Sequence, residues 1–120
     1  MEPDFSPLFT SDLARDVRAE LVEQFNAGSS IADATAHALA HFRDVLNDPN
    51  DGPVVLLAIA AFQLDHAQVL SVIRDASINL IESREAEAAW ETSEPMARAQ
   101  RRELLQQMLA VLREATVSEQ

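Results

Sequence analysis

The stretch Asp51-Gly52-Pro53-Val54-Val55-Leu56-Leu57-Ala58-Ile59-Ala60-Ala61-Phe62 decides the architecture. A turn signal opens it, and nine apolar residues follow without a break, from Val54 to Phe62. A segment that is apolar on every side is buried, so the rest of the chain must wrap around it. Periodicity does not separate a short buried helix from a buried strand. Val54, Val55 and Ile59 lean towards a strand, whereas Ala58, Ala60 and Ala61 lean towards a helix. The chain offers no second strand for the first to pair with. The stretch therefore reads as a helix ending near Leu64. Asp51 is its N-cap, and Pro53 sits in the first turn, where a missing N–H costs nothing.

Upstream, Asn47-Asp48-Pro49-Asn50 completes the densest turn cluster of the chain. Before it, Leu13, Val17, Leu21 and Phe25 recur at helical spacing behind Ser11, an N-cap with Asp12 in the first turn. That helix runs to about Asn26, and Gly28 stops it. Ser29 or Ser30 caps the next, with Asp33 standing in for the usual Glu of a capping box. Its stripe is Ile31, Thr35, Ala38, Leu39, Phe42 and Leu46. Residues 1–10 form an irregular arm, because Pro3 and Pro7 disrupt regular structure while Phe5, Leu8 and Phe9 pack it down.

Downstream, Asp65-His66 marks a bend, and a helix from about Gln68 to Glu82 carries the stripe Val69, Ile73, Ala76 and Leu80. Arg84 to Glu91 is a short, charged helical stretch holding Trp90, the only tryptophan. Ser93 caps a last long helix with Glu94 and Pro95 in its first turn. Its stripe is Ala97, Leu104, Leu105, Met108, Val111, Leu112 and Ala115, and residues 116–120 fray. The expected fold is all-α: one domain over residues 11–115, a compact bundle of five to six helices around a buried central helix at about 53–64.

Composition narrows the function classes. A chain of 120 residues buries a core without staples, and the absence of cysteine excludes disulfides and thiolate metal sites. The opening residues show no basic and apolar leader, and the longest apolar run falls far short of the ~18 residues of a membrane span. The chain is expected to be soluble and cytoplasmic. Twenty acidic residues against nine basic ones, all arginine, give a formal charge of −11. Such a surface repels nucleic acid and anionic membrane, and it steers basic proteins towards it. The same charge also serves to keep a small protein in solution.

Two segments carry a likeness to a known family. Phe9-x-x-Asp12-x-Ala14-x-Asp16-Val17-Arg18-x-Glu20 resembles the acidic opening helix of a family of small, uncharacterised, all-helical bacterial proteins. Asp51-Gly52-Pro53-Val54, with Leu57-Ala58 and Gln63, resembles the central helix of the same family, and Ala34-Thr35 falls where it has a similar pair. The likeness spans residues 9 to about 90. It departs at the start, where the family's Trp-Gly-x-Gly is replaced by Pro3-Asp4-Phe5-Ser6-Pro7, and at Leu64-Asp65, where the family favours an aromatic residue. The resemblance implies an all-helical fold and no agreed activity.

Four constellations invite a functional reading. Asp12, Asp16, Glu20 and Glu23 form an acidic ridge on the first helix, turned away from the centre of its apolar stripe. Like charges at that spacing cost ~0.2–0.5 kcal/mol per pair in an isolated helix. The ridge is thus either a solvated face or a docking face for a basic partner. Asp33, His37 and His41 recur at i, i+4, i+8, but no His-Glu-x-x-His motif completes a zinc site, and surface histidines are the default. Arg101 falls inside the apolar stripe of the last helix, so it bridges to a carboxylate, lies at an interface, or snorkels outward. Trp90 either clamps its short helix to the core or is an exposed interface anchor.

No nucleophile–base arrangement is recognisable, and two glycines do not build a phosphate loop, so no enzyme, cofactor or metal is expected. The sequence reading is a protein-binding module, a small acidic inhibitor or immunity-type protein that neutralises a basic toxin or nuclease. Its partner-binding residues are Asp12, Asp16, Glu20, Glu23, Trp90 and Arg101. The alternative is a structural or regulatory subunit that forms homo-oligomers through the last helix and Trp90.

Overall fold

In a computed structural model, which describes residues 5, 11–86, 95–115 and 117, Ser11 starts the first helix as expected. Its Oγ accepts the Ala14 N–H at 3.2 Å, and α1 runs Asp12–Asn26. The helix ends in a doubly bonded turn. Gly28 N–H donates to Phe25 C=O and Ser29 N–H to Gln24 C=O, with Gly28 at φ +103°. That left-handed value is why glycine stands there. Ser30 then caps α2, Ile31–His41, by accepting the Asp33 N–H at 3.0 Å.

The helix expected to run on to Leu46 breaks at Phe42 instead. The Phe42 carbonyl takes the N–H groups of both Val45 and Leu46, and this starts the single turn α3, Arg43–Leu46. Phe42 is buried in the core, and the break lets the chain turn back across the bundle.

The central helix is α4, Gly52–Asp65. Asp51 does not cap it, because its backbone is already helical and its side chain makes no capping bond. Asp48 takes that part. Its Oδ1 accepts the N–H groups of Asn50 at 2.7 Å and Asp51 at 3.0 Å, and its carbonyl accepts that of Gly52 at 2.8 Å. Gly52 is obligatory for a different reason from Gly28. A Cβ there would lie 2.5 Å from the Leu46 carbonyl oxygen, so only glycine lets α3 and α4 approach.

Every side of α4 meets protein, as its uninterrupted apolar run requires. Val55, Leu57, Ile59 and Ala60 are fully buried, with Phe62 and Gln63 behind them. Each fully buried Leu, Ile, Val or Phe stabilises the fold by ~1.5–3 kcal/mol. Helix α1 packs on α2 and α4, while α5 (Ser71–Glu82) packs on the other side of α4 and carries α6 (Pro95–Glu114). These six helices, five of them arranged about the central α4, make the all-α bundle the observed architecture. From the N-terminal arm only Phe5 lies within the described residues, and it is buried against the core.

The connection between α4 and α5 departs from expectation. The helix foreseen from Gln68 begins at Ser71. Gln68 N–H bonds back to the Gln63 carbonyl and Ala67 N–H to that of Leu64, closing α4 with the same turn that ends α1. The left-handed position is filled here by Ala67 at φ +53° rather than by glycine. The Gln63 side chain then takes the Leu70 N–H at 3.0 Å, so residues 68–70 stay out of the helix. Val69 instead forms a lone parallel bridge with Val117.

Candidate functional site

The acidic ridge lies along α1, but its four members are in two different situations. Asp12, Asp16 and Glu23 are exposed and make no ion pair with a described residue. Glu20 turns towards α2, where its Oε1 is 2.5 Å from Nε2 of His37, and its side chain is only 18% exposed. Apolar pairing with α2 and α4 brings the flank of α1 that carries Glu20 against His37. The helical wheel places His37 opposite its own stripe, facing solvent. The structure shows that this outer flank of α2 is within reach of α1.

The opposite flank of α1 is basic. Arg15 is exposed, and Arg18 reaches Asp65 at the end of α4 at 3.5 Å, with both side chains 61% exposed. An ion pair that open to water stabilises by ~0–1 kcal/mol at most. Arg18 therefore pairs with α4 rather than with the ridge. Asp12 sits in the first turn, where the helix N-terminus favours a carboxylate by ~0.3–1 kcal/mol. No such relief reaches Asp16 or Glu23, which are further along.

Arg101 is half-buried on α6, and burial lowers its guanidinium pKa from the ordinary arginine value. α1 and α6 are not among the closely packed helix pairs, so Arg101 and the ridge do not converge on one site. Trp90 lies outside the described residues. His37 and His41 are both exposed and their rings stack at 6.5 Å, and among the described residues no three potential metal ligands come together. The partner of His37 is the Glu20 carboxylate.

Two further features escape sequence reasoning. Gln63 is fully buried and joins three elements: its Nε2 donates to Thr35 Oγ1 on α2 at 2.8 Å, and its Oε1 accepts the Leu70 N–H. The signal was a single polar residue ending a nine-residue apolar run, with Thr35 on the inward stripe of α2. The second is an open groove of about 390 Å³ lined by Leu64, Ala67, Val69, Val111, Glu114 and Ala115. Its lining is apolar apart from the Glu114 carboxylate. No helix among the described residues is long and apolar enough to cross a membrane. Neither a protein-family model, nor a curated protein, nor a solved structure matches the chain.

Proposed function

We propose that the chain is a protein-binding module, a small acidic inhibitor or immunity-type protein that docks a basic partner on the exposed face of α1. One observation carries this reading. Asp12, Asp16 and Glu23 stand in solvent on one flank of a helix, uncompensated by any described cation, in a chain of net charge −11. Repulsion along the helix is unfavourable for folding, and a cationic surface converts it into attraction. Glu20 contributes as the fixed edge of this face, since His37 holds its carboxylate in place. The cytoplasm is the compartment that goes with a cysteine-free chain.

The exposed positions of α6 include Gln100, Arg102, Glu103, Gln106 and Gln107. That face is polar, which supports docking through α1 over self-association through the outside of the last helix.

The test is affinity capture from the native host at low and high salt, followed by quantitative binding of the recovered protein. The expected partner is basic and weakens as salt rises. The triple variant Asp12→Lys, Asp16→Lys, Glu23→Lys is expected to lose at least ~10-fold in affinity, since each reversed rim charge mainly slows association. A partner that binds this variant as tightly as the native chain removes α1 as the docking face.

A further inference from the structure

The connection between α4 and α5 is built from residues that oppose its conformation. From Val54 to Glu82 the sequence contains neither glycine nor proline. The turn at His66–Leu70 is nevertheless closed by Ala67 in the left-handed region at φ +53°, where an alanine is strained. The following helix starts at Leu70 with no side-chain cap. Asp65-His66 marks a bend, but no glycine or proline bars α4 and α5 from forming one continuous helix, Gly52–Glu82. Beyond its own backbone bonds, the turn is held by the Gln63 Oε1 to Leu70 N–H bond and by one long-range contact, the bridge from Val69 to Val117.

The piece beyond the turn is a coherent unit. α6 packs chiefly on α5. Arg74 of α5 donates from Nε to the Leu112 carbonyl at 2.9 Å and from Nη2 to that of Arg113 at 3.4 Å. Arg113 in turn pairs with Glu82. α5 is therefore fastened at two points to the C-terminal end of α6, while a single strained turn connects it to α4.

We propose that this turn is a hinge, and that two copies of the chain exchange their α5–α6 units through it. In the exchanged dimer each α5–α6 unit packs on α4 of the other copy, so every contact of the closed monomer outside the hinge is remade. At a given protein concentration the hinge then sets the balance between the two forms. Straightening it relieves Ala67 and gives the uncapped amides of α5 carbonyl partners one turn earlier. It also breaks the bond from Leu70 to Gln63 and the Val69 bridge. Short strained connections favour this kind of exchange. The partner is a second copy of the chain, and the surface is the buried face of α4, independent of the docking face on α1.

The experiment is refolding from denaturant at high and at low protein concentration, read by size-exclusion chromatography with light scattering. The expected product at high concentration is a dimer that persists for hours after dilution, because its reversal requires α5–α6 to leave the core. Ala67→Gly removes the strain only in the closed hinge. It is expected to shift the monomer–dimer balance about fivefold per hinge, or about 25-fold for the two hinges of a dimer, towards monomer. Arg84 provides the control, since it too is left-handed, at φ +67°, but at the far end of α5, inside the exchanged unit. Arg84→Gly is expected to leave the balance unchanged. Monomer alone at both concentrations overturns the proposal, as does a dimer that dissociates at once on dilution. A dimer indifferent to Ala67→Gly, or one that responds equally to Arg84→Gly, overturns it as well.

Discussion

Replacing Gln63 by leucine should destabilise the protein although it puts an apolar side chain into an apolar core. Gln63 is fully buried and Thr35 is 3% exposed, so neither falls back on water when the pair is broken. Three changes decide the outcome. The Leu70 N–H loses its acceptor at the uncapped start of α5, which costs ~1–3 kcal/mol for a donor left unpaired. Thr35 loses the donor that reached its hydroxyl, but that hydroxyl can turn back onto its own helix, so this costs only ~1 kcal/mol. Against these, the leucine gains ~1 kcal/mol from extra apolar burial in a slot shaped for glutamine. The net expectation is a loss of ~2 kcal/mol. Urea unfolding followed by far-UV circular dichroism reads this as a lower midpoint at unchanged slope. Thermal unfolding reads it as a drop of ~8 °C. The double variant Thr35→Val, Gln63→Leu should cost less than the sum of the two single changes by ~1 kcal/mol, because each single change strands the other partner. A midpoint equal to or above the native one, or strict additivity in the cycle, would show that Gln63 fills space and organises nothing.

Other perturbations separate local geometry from packing. Gly52→Ala forces a Cβ to within 2.5 Å of the Leu46 carbonyl and should cost ~3 kcal/mol or more by wedging α3 from α4. Gly28→Ala has open space around its Cβ and should cost only the ~1 kcal/mol of a left-handed alanine; urea midpoints rank the two. Ser77 is fully buried with its hydroxyl unpartnered among the described residues, so Ser77→Ala should stabilise the fold by ~1 kcal/mol, read as a higher urea midpoint. Backbone N–H groups of Asp51 and Asn50 hold the Asp48 carboxyl below its ordinary pKa. A depressed folded-state pKa contributes stability above the unfolded value and loses it as pH falls through the folded value. Native protein should therefore lose stability more steeply into acid than Asp48→Asn, as measured by urea midpoints down the acid range.

Local rules were legible wherever a single turn of chain contains the whole interaction. Ser11 and Ser30 cap their helices, and Gly28 ends α1, because each of these bonds closes within six residues. The same kind of reasoning gave Asp51 the cap of α4, and Asp48 holds it instead, since a turn rich in Asn and Asp offers several carboxylates and only the path of the chain chooses among them. The ridge on α1 was legible as a pattern of charge. That Glu20 leaves it for His37 depends on the angle at which α2 crosses α1, which no property of either helix specifies alone.

By itself, the sequence determined the helical class, the identity of the buried centre and the sign of the surface. All three follow from side-chain type and period, which act residue by residue on each helix whatever its neighbours. The tertiary structure decided how the run Val54–Phe62 ends. Its first polar residue, Gln63, turns inward to Thr35 and holds the Leu70 N–H, so that α5 starts at Ser71 rather than at Gln68. That decision belongs to a bond between residues 28 positions apart, and only the packing of α2 against the rest of the bundle brings them within reach.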